Sequence, residues 1–567
     1  MTATDALPDT RGANLYRADA SLRHLLELYL PDDLRAHLEP HLDRLGAALT
    51  TSLDDLAHAA DRNPPILHHR NRRGLDDEHI EKHPAYTALE KVAFGELGLA
   101  AMSHRGGVLG GPEPLPPAAK YALTYLFVQS EFGLCCPVSM TDALTRTLRK
   151  FGDAELVARH LPALTATDLD GLAQGAMFMT EQGAGSDVGA SKVVARRDEA
   201  GDWRLHGDKW FCSNADADLA MVLARPEGAP AGTRGLGLFL MPRRLDDGRA
   251  NACRIVRLKD KLGTRSMASG EIVLDGAFAR PVGDTRDGFR QMAEMINASR
   301  LSNGVRAAGL MRRALHEALH VARNRTAFGR RLDALPLMRR QLLKLLVPTE
   351  QALSMVLYTA GVMGRADAGD ADAGTMLRAL TPLIKFRACR DARKVTGDAM
   401  EVRGGCGYIE EWINPRLVRD AHLGSIWEGT SNIVALDVLR AARKLGAHRI
   451  LAEGLAAGLD AASGLPAALH GDARSALARA ADLFERAAGD PGGECLARQA
   501  ASALYHAASA AIMACEGAAL VARRGDETRL HLARLVLDQR LGRFDPLAPP
   551  GGAGEVAAFE ALAAQKA

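Results

Sequence analysis

The feature that most constrains this chain is a change of texture near Gly175 that reverses near Gly288. Between them, "GDWRLHGDKWFCSN", "LAMVLAR", "GLGLFLMP" and "SGEIVLDGAFA" are short apolar runs cut by Gly, Asp, Asn and Pro. That is the pattern of strands joined by turns. On either side apolar residues recur at helical spacing, in "LRHLLELYL" and "AYTALEKVAFGELGLAAM" before, and in "NGVRAAGLMRRALHEALHVARNR" and "RRQLLKLLVPTEQALSMVLYTAGVM" after. Pro348 marks a kink or a boundary in the last of these. The pattern predicts an α+β multidomain chain with an N-terminal helical domain over 1–174, a mostly antiparallel β domain over 175–287, a helical bundle over 288–440 and an extra helical extension over 441–567. The Gly- and Pro-rich stretch at 105–120 is a solvent-facing excursion or a lid, and the last 22 residues read as a linker ending in a short helix.

With 567 residues, 47% of them hydrophobic, the chain has apolar material for several packed units. Its 71 basic and 69 acidic side chains nearly cancel, so nothing global draws it to nucleic acid. The segment 441–567 is neutral, with 14 residues of each sign, yet Arg523, Arg524, Arg529, Arg534, Arg540 and Arg543 gather within it. Such a group is either a solvated helix face or a site for DNA phosphates. Eight cysteines without a C-x-x-C pair predict a reduced, intracellular protein. The first residues lack the apolar run of a signal peptide, and no eighteen-residue uncharged apolar stretch predicts a membrane span, so the expectation is a cytoplasmic protein. His68 and His69 have no companions at metal-ligand spacing, and no G-x-S-x-G elbow occurs.

Five short segments carry chemistry. "MFMTEQGAGSDV" combines Gly183 and Gly185, which permit close backbone approach, with the hydroxyls of Thr180 and Ser186, which donate to carbonyl or phosphate oxygens. It is a ligand loop or a structural turn. "GDKWFCSN" sets Trp210 and Ser213 at a strand end, where an indole covers a flat ring or fills a core. In "RNRTAFGR", Arg325 offers a rigid fork to phosphate and Phe328 a stacking face, while Gly329 equally suits a helix end. "EVRGGCGY" places Gly404, Gly405 and Gly407 where a ligand or a tight crossing requires close approach.

The fifth segment is "SIWEGTSNI". Glu428 stands between Trp427 and Gly429, beside Ile426, Ile433 and Val434, which predict partial burial of the turn. An acid at an apolar boundary is a paired structural charge or a base of tuned pKa.

In this order, "MTEQGAGSDV", "RTAFG", "GGCGY" and "IWEGTSNI" resemble the acyl-CoA dehydrogenase superfamily. "NLYRAD", "NPPIL", "KWFCSNADAD" and "LKDKLGTRSMAS" make the chain most similar to the AidB, or DNA-alkylation-response, branch. The resemblance implies FAD in a cleft between a central β domain and helical domains. It implies that Met177, Phe178, Met179, Thr180 and Ser186 belong to a flavin-lining loop, and that Phe211, Cys212 and Ser213 form the next flavin-contact strand, with Trp210 beside it. Arg325 and Phe328 would reach the FAD of a neighbouring subunit, in an oligomer that is commonly a tetramer. Gly404 and Gly405, and then Ile426, Trp427, Gly429, Thr430 and Asn432, would add cofactor contacts. Glu428 aligns with the catalytic base.

Some relatives carry their base on an earlier helix, but the matching position here is Ser299, which leaves Glu428 in that role. Glu401 stands where ordinary dehydrogenases have glutamine, a departure that bears on a cofactor or subunit contact. The leading expectation is α,β-dehydrogenation of an acyl-CoA thioester, with the electrons passing to an unidentified acceptor. In that chemistry the flavin ribityl hydroxyl and the Glu428 N–H polarise the thioester carbonyl while the carboxylate takes the α-proton. The alternatives are an AidB-like flavoprotein that binds double-stranded DNA and protects it from alkylation, and a tetrameric scaffold with degenerate catalysis.

Overall fold

The strand-and-turn texture after Gly175 closes into a single sheet in the computed structural model, which describes residues 7–542, 547, 555–557 and 559. The chain forms two units, one of Met1–Thr51, Pro116–Gln129 and Arg300–Ala567, the other of Ser52–Leu115 and Ser130–Ser299.

Apart from one short hairpin at 326–331, the second unit contains the β structure of the described residues. β1 (Ile66–Arg70) and β2 (Asp76–Glu81) make an antiparallel hairpin inside a stretch whose periodicity predicted mainly helix. The local reason is Pro64–Pro65, which removes two backbone donors just past the helix Ser52–Arg62. The central sheet comprises β3 (Gly175–Phe178), β4 (Val194–Arg197), β5 (Trp203–Ser213), β6 (Leu219–Pro226), β7 (Gly237–Pro242), β8 (Cys253–Leu258) and β9 (Ser269–Pro281). Their order is β3-β6-β4-β5-β9-β7 with β8 on β9, and β6 also pairs with β7, which closes the sheet on itself. Most pairings are antiparallel as expected, but β3–β6 and β4–β6 are parallel. Alternate residues such as Leu205, Val222, Phe239 and Ile272 fill the interior.

The first unit is helical. α1 (Gly288–Asn324) enters it at Arg300, followed by α2 (Pro336–Asp367), α3 (Ala371–Arg403), α4 (Ile413–Gly424) and α5 (Ser431–Leu445). Pro336 opens α2, where a missing N–H costs nothing, and the helix continues through Pro348 without a boundary. Later come α6 (Ala497–Arg524) and α7 (Thr528–Val536). The helical stretch Gly493–Arg524 has the length and hydropathy of a membrane span, but 83% of its apolar window is buried inside the protein, which makes it a core helix. Most of the linker and short helix expected at the C-terminus, and Arg543, lie outside the described residues.

Buried charge ties this unit together. Arg529 on α7 pairs with Glu350 of α2 at 2.8 Å and with Glu516 of α6 at 3.3 Å. Arg312 of α1 bonds Glu350 and approaches Asp19 at 3.1 Å. Tyr29 donates to Glu516 at 2.8 Å.

Candidate active site

The sequence-predicted residues fall into two groups, one in each unit. In the β unit, β3 and the loop after it lie against the end of β5, where the Trp210 N–H donates to the Thr180 carbonyl at 2.8 Å. The β5–β9 register slips between Lys209 and Cys212, and Phe211 in that bulge has φ 52°. A bulge re-aims side chains, and here Phe211 points outward, 61% exposed. Alternation sorts the others. Phe178 and Cys212 put their side chains into the sheet interior, whereas Met177, Met179, Thr180, Trp210 and Ser213 are half-buried and Ser186 is exposed. Phe178 and Cys212 therefore offer a ligand their backbone, not their side chains. Burial pushes the Cys212 thiol far above its ordinary range.

Two contacts invisible in the motifs hold this group. Lys209, fully buried, donates to the Met179 carbonyl at 3.1 Å and to Glu181 at 2.8 Å. Glu181 also accepts from the Ser191 hydroxyl and from the Lys192 and Val193 N–H groups. Lys259 sets its ammonium 3.3 Å from the centre of the Trp210 indole. A Cβ added to Gly183 or Gly185 would meet nothing within 4 Å, so the loop between the fixed ends faces open space.

In the helical unit, Glu428 lies in the turn between α4 and α5 with φ 53°, followed by Gly429 at φ 104°. Glu428, Phe211 and Phe328 are three of the six non-glycine residues with positive φ among the described residues. A left-handed conformation is costly for a residue with a Cβ and gathers at functional sites. Arg300 Nε donates to the Glu428 carbonyl at 3.2 Å, and Lys385 Nζ donates to the Gly429 carbonyl. Arg306, wholly buried, lies 4.6 Å from the Trp427 ring centre. Glu428 and Trp427 are half-buried, but Ile426 is 59% exposed, contrary to the burial its apolar character predicted. The Thr430 hydroxyl makes no cap bond to α5. Asn432 accepts from Arg498 at 3.5 Å.

The Arg325 segment is a small hairpin, not a helix end. Thr326–Ala327 pairs with Arg330–Arg331 around Phe328 and Gly329, both left-handed, the geometry of a tight two-residue turn. Phe328 is 94% exposed at its tip. Arg325 donates to the Arg403 carbonyl at 3.2 Å. Arg403 in turn is fixed by Glu317 and Asn414 and stacks on Trp412. Gly404 ends α3 at φ 76°, and Gly405 faces open space, whereas a Cβ on Gly407 would strike the Met400 carbonyl at 2.3 Å. Gly407 thus answers to a tight crossing, and Gly404 and Gly405 leave room for a ligand.

Four of the arginines after 522 have partners within the chain. Arg529 is buried, Arg534 pairs with Asp472 and Asp538, and Arg523 and Arg524 bond Glu27. Arg529, one of the arginines grouped after 522, is thus a buried structural charge. No group of His, Cys, Asp and Glu among the described residues could hold a metal.

Lys385 is the residue sequence reading passed over. Its signal was present in "LIKF", one charge among apolar residues on a buried helix stretch. Burial draws its amine down to about 8, against the opposing pull of Cys389 and Glu428.

Comparison with known domains agrees with this arrangement. Residues 6–171 match the adaptive response protein AidB N-terminal domain, 176–277 the acyl-CoA dehydrogenase middle domain and 286–443 the acyl-CoA dehydrogenase C-terminal domain. The chain belongs to the acyl-CoA dehydrogenase superfamily, and its N-terminal part is of the AidB type. It is 35% identical to the putative acyl-CoA dehydrogenase AidB of Escherichia coli over 72% of this chain and 74% of that one. Identity to acyl-CoA dehydrogenase family member 11 of Caenorhabditis elegans is 33%, over 75% and 70%. Among solved structures, Caenorhabditis elegans ACDH-11 in complex with C11-CoA superposes with a TM-score of 0.87 at 28% identity, covering 96% of this chain and 94% of that one. The apo form of Bd2924 gives 0.81 at 33% identity, covering 90% and 99%.

Proposed function

We propose that this protein is an FAD-dependent acyl-CoA dehydrogenase in which Glu428 removes the α-proton of an acyl-CoA thioester. The observation that carries the reading is the strained turn itself: an acid at φ 53°, set beside Trp427, with a buried cation on each of two successive carbonyls. Such a conformation persists only where the surroundings over-determine it.

The donor set suits the cofactor. Glycine amides at 183 and 185 with the Thr180 and Ser186 hydroxyls match phosphate oxygens, Trp210 offers a ring face, and the space beside the loop is open. We assign Met177–Ser186 and Trp210–Ser213 to the isoalloxazine and pyrophosphate, and Gly404, Gly405, Ile426, Trp427, Gly429, Thr430 and Asn432 to further contacts. Arg325 and Phe328 reach FAD across a subunit boundary of a homotetramer, a role supported by an aromatic ring exposed at the tip of a fixed hairpin. FAD, when bound, accepts the hydride that leaves Cβ. The Glu428 N–H polarises the thioester carbonyl, which acidifies the α-carbon, and the Glu428 carboxylate takes the α-proton, leaving the trans-2-enoyl thioester. The division at 174/175, 287/288 and 440/441 stands as our working domain scheme.

The test is anaerobic mixing of FAD-loaded protein with short, branched, medium and long acyl-CoAs while following the visible band of oxidised flavin. Because a C11-CoA occupies the Caenorhabditis elegans relative, medium chains head the panel. Bleaching by one class, abolished in Glu428→Gln, is the expected result. No bleaching by any thioester, with FAD retained, would reject the reading and favour a DNA-associated flavoprotein like AidB.

A further inference from the structure

We propose that Lys385 is a positioning residue for Glu428, its buried ammonium clamping the Gly429 carbonyl so that the 427–430 turn keeps the left-handed backbone that aims the carboxylate. The inference rests on the assignment of Glu428 as base.

The turn contains two successive left-handed residues, Glu428 at φ 53° and Gly429 at φ 104°. Glycine tolerates this; glutamate does not without support. Support comes as two hydrogen bonds from cations to neighbouring carbonyls, Arg300 to that of Glu428 and Lys385 to that of Gly429. The two cations differ in surroundings. Arg300 is compensated by Asp437, with which it forms an ion pair. Lys385 is 1% exposed, and among the described residues its ammonium meets a carbonyl, not a carboxylate. A buried ammonium without an ion-pair partner is costly, and methionine would fill the same space without that cost. A lysine at this position is explained by what its N–H groups hold.

The rest of α3 grips the same turn. Cys389, one helical turn beyond Lys385, sits 3.3 Å from where a Cβ on Gly424 would stand, Arg393 donates to Ser425 at 3.4 Å and Arg390 to Ser431 at 3.3 Å. One helix face therefore holds the turn from Gly424 to Ser431, with Lys385 at its strained centre. The groups that face the ammonium are Glu428 and Cys389, which favour its charge, and Arg300, which opposes it. Loss of that charge at alkaline pH weakens the clamp.

The experiment compares full-length, FAD-loaded wild type with Lys385→Met, Lys385→Gln and Lys385→Arg. Amide hydrogen exchange of the 425–432 segment is expected to quicken about tenfold or more in Lys385→Met, with the rest of α3 unaffected and Lys385→Arg restoring most of the protection. With the thioester that bleaches the flavin, kcat should fall about 10²-fold while KM moves little, since a misplaced base loses rate before affinity. If Lys385→Met does not fold, Lys385→Gln, which keeps a donor but no charge, is expected to show the same exchange change in smaller measure. Wild-type protection of the turn in the folded variants overturns the proposal, even where activity is lost. Should the wild type turn over no thioester, the base assignment fails, while the exchange result still decides whether Lys385 holds the turn.

Discussion

Lys209 places its ammonium 2.8 Å from a carboxylate oxygen of Glu181, with neither side chain more than 7% exposed. This pair anchors the start of the loop that faces open space at Gly183 and Gly185. Removing one partner strands the other charge in the interior, so Lys209→Met should cost about 3–5 kcal/mol of stability. Urea unfolding checks this, and a cost near zero would show that the pair is not the anchor.

The same pair has a pH signature. Burial pushes the Glu181 carboxyl upward, but Lys209 and the hydrogen bonds from Ser191 and Lys192 outweigh it and leave the pKa below the ordinary value. A depressed folded pKa gives stability that is present above the unfolded carboxylate range and lost as pH falls through the folded value. Wild type should therefore lose stability on acidification more steeply than Lys209→Met. Parallel slopes in unfolding curves across the acid range would contradict the assignment.

Phe328 belongs to no core, at 94% exposure on a hairpin held by Arg325 and Arg403. Phe328→Ala should leave the folding stability of the chain unchanged while weakening assembly and FAD retention. Analytical ultracentrifugation and the flavin-to-protein absorbance ratio read the two effects. An unaltered oligomer with full flavin content would remove Phe328 from the interface.

How far the sequence foretold this site depends on which interactions its residues make. The β domain was legible because alternation along a strand is a local property, and Phe239 or Ile272 need only a neighbour across the sheet. The hairpin at 66–81 was hidden by flanking helical periodicity, although Pro64–Pro65 marked the break. The motif residues Glu428 and Phe211 were found as identities, but their left-handed backbones arise from non-local contacts, such as Lys385 with Gly429 and the slipped β5–β9 register. The burial of Arg529 was hidden for the same reason: its partners lie far back in the chain at Glu350 and on another helix at Glu516, so a sequence count shows one more basic residue where the fold makes a buried network.

That network sets a further expectation. Three carboxylates, Asp19, Glu350 and Glu516, face two guanidiniums, Arg312 and Arg529. Burial raises the Glu516 pKa despite Arg529 and the bonds from Ser354 and Tyr29. A raised folded pKa makes this acid's contribution fully present below the unfolded carboxylate pKa and lost as pH rises through the folded value. Arg529→Met should cost about 3–5 kcal/mol. The deficit should shrink toward acid pH, where the orphaned carboxylates protonate. Thermal melts across pH measure it, and a deficit independent of pH would place the damage in packing alone.

The proposed function makes Trp427, next to Glu428 in the turn, a wall of the acyl space. Its ring lies 4.6 Å from the buried Arg306 guanidinium, an attraction worth about 2 kcal/mol when both are desolvated. Arg306 therefore holds the indole beside the acid in one orientation. Trp427→Ala removes that wall and should shift the preference among acyl-CoAs toward longer or branched chains, read as the ratio of kcat/KM values between chain lengths. Trp427→Phe keeps a face for Arg306 and most of the volume, and should retain the wild-type order of preference. Arg306→Met, which frees the indole without removing it, should blunt the preference without reversing it. If the ratio in Trp427→Ala equals that of wild type, the indole is not the wall of the acyl space, and its stacking on Arg306 serves the fold of the turn alone.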